Sequence, residues 1–297
     1  FQGVAALPWE DYIPKDGEFP VKGWSLNSTL HSVPACQAIV KKASAKRLGS
    51  AYGCETLPET GSRYQIQFAI VKDVATLYLD TSGEGLYKRG YRARNMGAPL
   101  KETLAAALVT LSRYRGKDPF CDPFCGSGTI PIEAALIAKN RAPGLDRSFS
   151  AQRWKNMDAK LWMDAADEAM DKEFHGTYDI WGGDIDPAAV ELAKHNAALA
   201  GVEDCIRFEV ADAGQFHRDS EYGQLVTNPP YGERLLEKKE AEALYRVFGA
   251  AMAKMPPKWR ILVLSSHTEF ERCFGRPAGK RRKLYNGMLK CDVFMYP

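Results

Sequence analysis

Two short segments carry residue types whose order along the chain points to chemistry. Asp122-Pro123-Phe124-Cys125-Gly126-Ser127-Gly128-Thr129 reads as a tight glycine turn between a strand and a helix. Gly126 and Gly128 can take positive φ and let a ligand approach the backbone closely. A helix that starts near Thr129 aims its free N–H groups and its dipole at the same spot, which suits a carboxylate. The second segment is Asn228-Pro229-Pro230-Tyr231, at the end of the apolar run Gln224–Thr227. Its prolines fix φ and cannot donate, so local carbonyls stay available as acceptors. The Asn228 side-chain oxygen adds another acceptor, and Tyr231 can stack on a base taken out of its helix. An exocyclic amine of guanine or adenine is a poor nucleophile, because its lone pair is delocalised into the ring. Two acceptors gripping its hydrogens turn that lone pair toward an electrophile. Together the segments fit S-adenosylmethionine, whose methionine half supplies the carboxylate, held beside a planar nitrogen to be methylated. Positioning provides most of the acceleration, since the sulfonium is already activated.

Each segment alone also reads as an ordinary turn: strand to helix in the first case, Asn-Pro with a packing tyrosine in the second. Two nucleotide-site alternatives fit the first segment less well. A dinucleotide fingerprint requires a third glycine where Pro131 stands, and a phosphate loop requires a lysine after Gly128, which is missing. Asp184 closes a strand in Gly182-Gly183-Asp184-Ile185-Asp186-Pro187. It is assigned to the ribose hydroxyls. Asp186 is then the helix N-cap, with Pro187 at the first helical position. Asp212, in Ala211-Asp212-Ala213, either holds the adenine amine or is a solvent loop aspartate. The expected cofactor set is Asp122, Pro123, Phe124, Gly126, Ser127, Gly128, Thr129, Asp184, Ile185, Asp212, Ala213 and Asn228. The expected catalytic set is Asn228, Pro229, Pro230 and Tyr231, with no metal.

These residues need a scaffold, and from Asp118 onward the pattern alternates strand and helix. Strands are expected at 119–122, 179–184, 206–210, 224–227, 260–264 and 288–295, with helices at 129–139, 187–200, 238–255 and near 269–274. Such alternation means an α/β fold, a parallel sheet with helices on both faces. The last strand follows Tyr285-Asn286-Gly287 and is expected to be an antiparallel edge. Residues 140–178 lengthen the first crossover, carry Trp154, Trp162 and Phe174, and look partly helical. Upstream, Thr29–Gly49 is helix-like, and Tyr64–Val71 with Val74–Asp80 reads as a β-hairpin turning at Lys72-Asp73. Residues 81–97 form a polar, glycine-bearing connection, and Pro99 opens a helix with Leu100, Leu104, Ala107, Leu108 and Leu111 on one side.

The chain has 297 residues, 45% hydrophobic and 26% charged, ordinary for a globular protein of one large or two modest domains. No apolar run approaches the roughly 20 residues that span a bilayer. No secretory signal is visible, and Phe1 is not an initiator methionine, so the numbering is expected to begin inside a longer chain. The seven cysteines are irregularly spaced without a Cys-x-x-Cys pair, which argues against structural zinc and a disulfide framework. Reduced cysteines fit a cytoplasmic protein. Formal charge is only +3, but cations cluster: Lys41, Lys42, Lys46 and Arg47, then Lys88, Arg89, Arg92 and Arg94, then Lys280–Lys283. Such clusters either neutralise phosphates or form solvated faces.

The chain resembles the THUMP-domain RNA methyltransferases related to the bacterial 23S rRNA guanine-N2 methyltransferase. The resemblance spans nearly the whole chain. It rests on residues 80–92 (Asp80-Thr81-Ser82-Gly83-Glu84-Gly85-Leu86-Tyr87-Lys88-Arg89-Gly90-Tyr91-Arg92), on Ala98–Ala106, on Asp122–Thr129, on Ala142-Pro143-Gly144-Leu145 and on Thr227–Leu235. One departure is Tyr87, where the family pattern has histidine. The resemblance implies a THUMP-like RNA-binding portion over residues 1–80, incomplete at its N-terminus, a connecting loop over 81–98, and a Rossmann-like methyltransferase domain over 99–297. It implies methyl transfer from S-adenosylmethionine to an exocyclic amine of ribosomal RNA, guanine N2 foremost. Lys41, Lys42, Lys46, Arg47, Lys88, Arg89, Arg92 and Arg94 would then contact phosphates. The family also carries the label N6-adenine DNA methylase, because the tetrad reports an amine and not a particular base. A DNA adenine or protein glutamine methyltransferase shares the tetrad but leaves the THUMP-like residues unexplained. A non-enzymatic RNA-binding protein leaves the intact tetrad unexplained.

Overall fold

The computed structural model describes residues 1–92, 100–232 and 238–297. They form two compact units: residues 1–86 with 148–167, and residues 87–147 with 168–297.

The first unit opens with a short helix α1 (Gln2–Ala5), followed by strand β1 (Val21–Leu26), helix α2 (Val33–Tyr52) and strands β2 (Ile66–Val71) and β3 (Val74–Leu79). β1 lies parallel to β2, and β3 antiparallel to it. The hairpin turns where expected, with Lys72 at φ 50° and Asp73 at φ 63°, the left-handed pair that a two-residue turn needs. β1 escaped the sequence reading because Gly23 interrupts it. A Cβ at Gly23 would run into Phe68, so the glycine marks close strand contact. α2 starts later than expected. Ser28 and Thr29 instead donate to the Asp73 carboxylate at 2.7–2.9 Å, and Pro34 sits in the first turn. The unit buries its own core of Ile13, Phe19, Leu48, Tyr64, Ile66 and Phe68. Ala151 and Trp154 of the distant segment complete it, with Trp154 stacked on Tyr64 at 4.8 Å. Trp154 also donates its indole N–H to the Arg63 carbonyl at 2.9 Å.

The second unit contains α3 (Glu102–Ser112), β4 (Phe120–Asp122), α4 (Thr129–Ala138), the end of α5 (Ala159–Asp171), β5 (Ile180–Asp184), α6 (Pro187–Leu199), β6 (Ile206–Val210) and β7 (Tyr222–Thr227). It continues with α7 (Lys238–Met252), β8 (Lys258–Ser265), α8 (Phe270–Phe274), β9 (Lys280–Asn286) and β10 (Leu289–Tyr296). The seven strands run in the order β6-β5-β4-β7-β8-β10-β9. All neighbours are parallel through β8; β10 is antiparallel to both β8 and β9. The expected antiparallel edge is therefore corrected. β10 lies inside the sheet, and the cationic stretch Lys280–Lys283 belongs to the true edge strand β9. Lys and Arg on an edge strand mask the alternation that reveals an inner one. One apolar cluster, with Leu108, Ile132, Val190 and Val293, covers one face of the sheet. Another, with Trp181, Tyr245, Phe248, Trp259 and Phe270, covers the opposite face. Pro99, expected to open α3, lies outside the described residues. No helix among the described residues is long and apolar enough to cross a membrane.

Candidate active site

Strand order reverses between β4 and β7: the chain runs outward from β4 to β5 and β6, then returns to β7 and β8. Ligands of open α/β sheets bind outside the carboxyl ends of the strands at such a switch point. Both segments singled out by residue type end there, the glycine loop on β4 and Asn228–Tyr231 on β7. One side-chain bond joins them: Thr227 donates its hydroxyl to Asp122 Oδ1 at 2.6 Å. The Phe124 N–H donates to the same oxygen at 3.1 Å. Asp122 is buried. Burial pushes its carboxyl up to about 7 against these two bonds, and the nearby Asp184 charge adds to the rise.

The loop is built from backbone bonds and glycine geometry. Gly126 and Gly128 have φ of 52° and 81°. A Cβ on Gly128 would lie 2.9 Å from the Ala193 methyl, so helix α6 packs against the turn itself. The Cys125 N–H donates to the Gly183 carbonyl at 2.9 Å, and the Gly128 N–H to the Cys125 carbonyl at 2.8 Å. Asn196, fully buried on α6, donates to the Ser127 carbonyl at 3.0 Å. Gly128 caps α4 without a side-chain cap. The first-turn N–H groups of Thr129 and Ile130 thus face the loop without a side-chain acceptor, as an anion seat requires. Pro123 is buried, and Phe124 packs edge-on against Phe248 at 5.1 Å.

Asp184 braces this loop. Its Oδ2 accepts the Gly126 N–H at 2.9 Å and its Oδ1 accepts the Asp186 N–H at 3.0 Å. Each carboxylate oxygen keeps a second lone pair for a hydroxyl donor. Asp186 caps α6, accepting the Ala188 N–H at 2.9 Å. Ile185 is 73% exposed between these acids, an apolar surface beside polar groups. Asp212 is exposed and accepts the Gly214 N–H at 2.8 Å, capping a short turn that buries Ala213.

The Asn228 segment is held by side-chain hydroxyls. Tyr245 of α7, fully buried, donates to the Pro230 carbonyl at 2.6 Å. That bond removes one of the expected free acceptors and leaves the Pro229 carbonyl and the Asn228 oxygen. Tyr231 differs from the expected open stacking ring. It is half-buried against the apolar cluster on the α3 face, and its hydroxyl donates to Asn228 Oδ1. Burial raises the Tyr231 phenol well above its ordinary value, so the hydroxyl is a donor at neutral pH.

Several of the cations expected to contact phosphates have carboxylate partners within the chain. Lys41 pairs with Glu59 at 2.6 Å and lies over the Phe19 ring at 3.4 Å. Arg47 holds Glu10 with two nitrogens, one of them 2.9 Å from Oε2. Arg89 reaches buried Glu133 at 3.4 Å, and Arg92 reaches buried Glu102 at 3.5 Å while donating to Thr129 Oγ1 at 2.8 Å. All four cations have carboxylate partners inside their own units; Glu133 and Glu102 are buried and demand theirs, whereas Glu59 and Glu10 are partly exposed. Lys42, Lys46 and Lys88 are exposed, and Arg94 lies outside the described residues. Burial lifts Glu133 to about 7, and Tyr91 donates to it at 3.1 Å. Thr227, Asn196, Tyr245 and Arg92 are thus positioning residues that the sequence reading missed or assigned elsewhere. Asn196 carried a signal, a lone amide on the apolar stripe of α6. Among the described residues no cluster of His, Cys, Asp and Glu is arranged to hold a metal ion.

Comparison with known proteins adds a family. Residues 89–294 match the UPF0020 family, described as RMKL-like, methyltransferase domain, and residues 1–80 match the THUMP domain. The chain is 46% identical to the putative RNA methyltransferase YpsC of Bacillus subtilis (strain 168), covering 100% of this chain and 77% of that protein. A predicted N6-adenine-specific DNA methylase from Listeria monocytogenes str. 4b F2365 superposes with a TM-score of 0.92 at 48% identity, over 100% of this chain and 77% of that one. SMU.472, a putative methyltransferase solved with SAH, superposes with a TM-score of 0.91 at 42% identity, over 99% of this chain and 78% of that one.

Proposed function

Because the chain belongs to the RMKL-like methyltransferase family and carries a THUMP domain, we propose that it transfers a methyl group from S-adenosylmethionine to an exocyclic amine of RNA, with guanine N2 of 23S rRNA as its target. The observation that carries this reading is the junction of the two segments at the switch point, tied by the Thr227–Asp122 bond. S-adenosylmethionine supplies an activated methyl group when bound. The residues fit it: a glycine loop at a helix N-terminus for the carboxylate, Asp184 for the ribose, exposed Ile185 beside it, and Asp212 at the next strand end.

Asn228 Oδ1 and the Pro229 carbonyl accept the two hydrogens of the amine and turn its lone pair toward the loop. Tyr245 fixes the Pro230 carbonyl, which holds the neighbouring Pro229 carbonyl at a set angle. Tyr231 orients the Asn228 amide and offers the open part of its ring to the base. No strong base is needed before attack, because the nitrogen becomes acidic only as it gains positive charge. The test is transfer of labelled methyl to unmodified ribosomal RNA, tRNA and DNA, followed by nucleoside analysis, with Asn228→Ala in parallel. Label in guanine N2 of the large ribosomal RNA, lost in the variant, is the expected result. A second reading, methylation of DNA adenine, is favoured by the shared tetrad and by the name of the Listeria relative. Label confined to DNA adenine would replace the RNA reading with it.

A further inference from the structure

The THUMP portion explains how RNA is approached, but not what holds the strand beside the reacting base on the methyltransferase unit. Most cations of the 88–92 stretch are turned inward. The hairpin of β9 and β10 differs. Lys280, Arg282 and Lys283 on β9 and Lys290 on β10 are exposed, and none has a carboxylate within ion-pair distance among the described residues. Arg281 on the same strand shows the contrast, with Glu271 at 3.1 Å and Asp292 at 2.7 Å. The unpaired cations stand on both faces, because Arg282 and Lys283 are adjacent along a strand.

Two further observations turn this charge into a site. The first is position. Asp292 pairs with Ser265, the last residue of β8. The tip, residues 286–289, therefore projects past the carboxyl edge of the sheet, where the Asn228 segment lies. Cys291 Sγ sits 3.9 Å from the Tyr231 hydroxyl, so the root of the hairpin touches the tetrad. The second is exposed apolar surface at that tip. Tyr285 is 59% exposed and Met288 100% exposed. Tyr285 stands directly across from Lys290 on one face, an aromatic plane beside a cation, which is the combination that holds single-stranded nucleic acid.

We propose that this hairpin grips the RNA strand flanking the target nucleotide, with Arg282, Lys283 and Lys290 on phosphates and Tyr285 under a neighbouring base. The proposal rests on the RNA reading above and adds a second RNA surface, at the active site. The rival role for such charges is protection of an edge strand against pairing with another sheet. Edge protection accounts for lysines on β9 but not for an exposed tyrosine and methionine at the tip.

The experiment measures binding of an unmodified fragment of large-subunit ribosomal RNA to the full chain by anisotropy over a salt series. Variants are R282Q/K283Q/K290Q and Tyr285→Ala. The triple variant is expected to bind roughly tenfold to a hundredfold more weakly at about 50 mM salt. Its slope of log affinity against log salt should fall by about two, since each phosphate contact contributes about 0.7–0.9. Tyr285→Ala is expected to lose about tenfold without a change in slope. S-adenosylmethionine affinity, read by calorimetry, stays unchanged in both. A triple variant with the parental slope overturns the proposal. A triple variant that keeps its affinity but self-associates in sedimentation assigns the charges to edge protection. Absence of RNA binding by the unsubstituted chain removes the RNA reading itself and this surface with it, whereas loss of slope with DNA as the bound partner moves the surface to the DNA reading.

Discussion

The glycine loop after β4 and the Asn228 segment after β7 lie side by side, yet different kinds of bond hold them. The loop is fixed by main-chain bonds, by positive φ at Gly126 and Gly128, by helix α6 packed against the turn, and by the Asp122, Asp184 and Asn196 side chains bonded to its backbone. The Asn228 segment hangs on side-chain hydroxyls: Tyr245 on the Pro230 carbonyl, Tyr231 on the Asn228 oxygen, Thr227 on Asp122. A seat whose ligand-facing groups are main-chain N–H groups suits a ligand that is the same in every turnover. A hydroxyl-held acceptor pair can be adjusted residue by residue, which suits the half of the site that meets the substrate. Substitutions after β4 should therefore change folding and cofactor affinity together. Those after β7 should change turnover far more than cofactor affinity.

The largest expected effect comes from Asn228→Ala. Loss of one of two acceptors aimed at the reacting nitrogen should lower kcat by about a hundredfold or more, with a far smaller change in S-adenosylmethionine affinity by calorimetry. A matching loss of cofactor affinity would erase the contrast between the two halves. The next effect tests the β4 side through pH. Asp122 titrates at about 7 in the fold and near 3.8 in the unfolded chain. Between those values the native state holds a proton that the unfolded state has released. Stability is therefore greatest on the acid side, falls as pH rises toward 7, and is flat above it, with a slope of at most about 1.4 kcal/mol per pH unit for this group. Glu133, lifted to about 7, adds a slope of the same sign. Asp122→Asn keeps the oxygen that Thr227 and Phe124 use and cannot ionise. Its unfolding midpoint should vary about half as much between pH 5 and 7.5 as that of the parent. Equal slopes would place the proton elsewhere.

Much of this arrangement was legible in residue types. Gly126, Gly128 and Asp184 announce a strand-end pocket because only certain residues tolerate those backbone angles or end a buried strand with a charge. The parallel strands were legible because buried strands read as apolar runs. Failures came where the decisive contact lies far away in sequence. Arg89 and Arg92 resemble solvated cations until Glu133 and Glu102 are brought under them. Trp154 resembles part of a crossover until it stacks on Tyr64. Tyr245 gives no local sign of its bond to Pro230, since a tyrosine at helical spacing reads as core. Strands β1 and β9 were hidden by a glycine and by a row of cations, features of a close contact and of an exposed edge.

Tyr245→Phe sharpens the comparison at intermediate size. The ring keeps its packing against Phe270 at 4.9 Å, and the hydroxyl is lost from the Pro230 carbonyl and from its 3.4 Å contact with Ser265 Oγ. A hydrogen bond of this kind contributes about 1 kcal/mol, and more when its acceptor is left unpaired. The expected fall in kcat is about tenfold, with KM and cofactor affinity little changed. A purely structural role for Tyr245 would instead lower the unfolding midpoint and leave kcat intact.

Tyr231→Phe should have the smallest effect, and its direction is the informative part. The Tyr231 hydroxyl donates to the same Asn228 oxygen that is proposed to receive the amine. A carbonyl-type oxygen has two lone pairs, so the hydroxyl and the amine can share it. The hydroxyl then decides which way the Asn228 amide faces, since a flipped amide would present N–H groups to an amine that needs acceptors. Losing the hydroxyl leaves the amide free to turn, and kcat should fall by about twofold to fivefold, in keeping with one lost hydrogen bond. If hydroxyl and amine instead compete for a single lone pair, the same variant should lower KM and raise turnover. The sign of the change in kcat/KM separates an orienting tyrosine from an obstructing one.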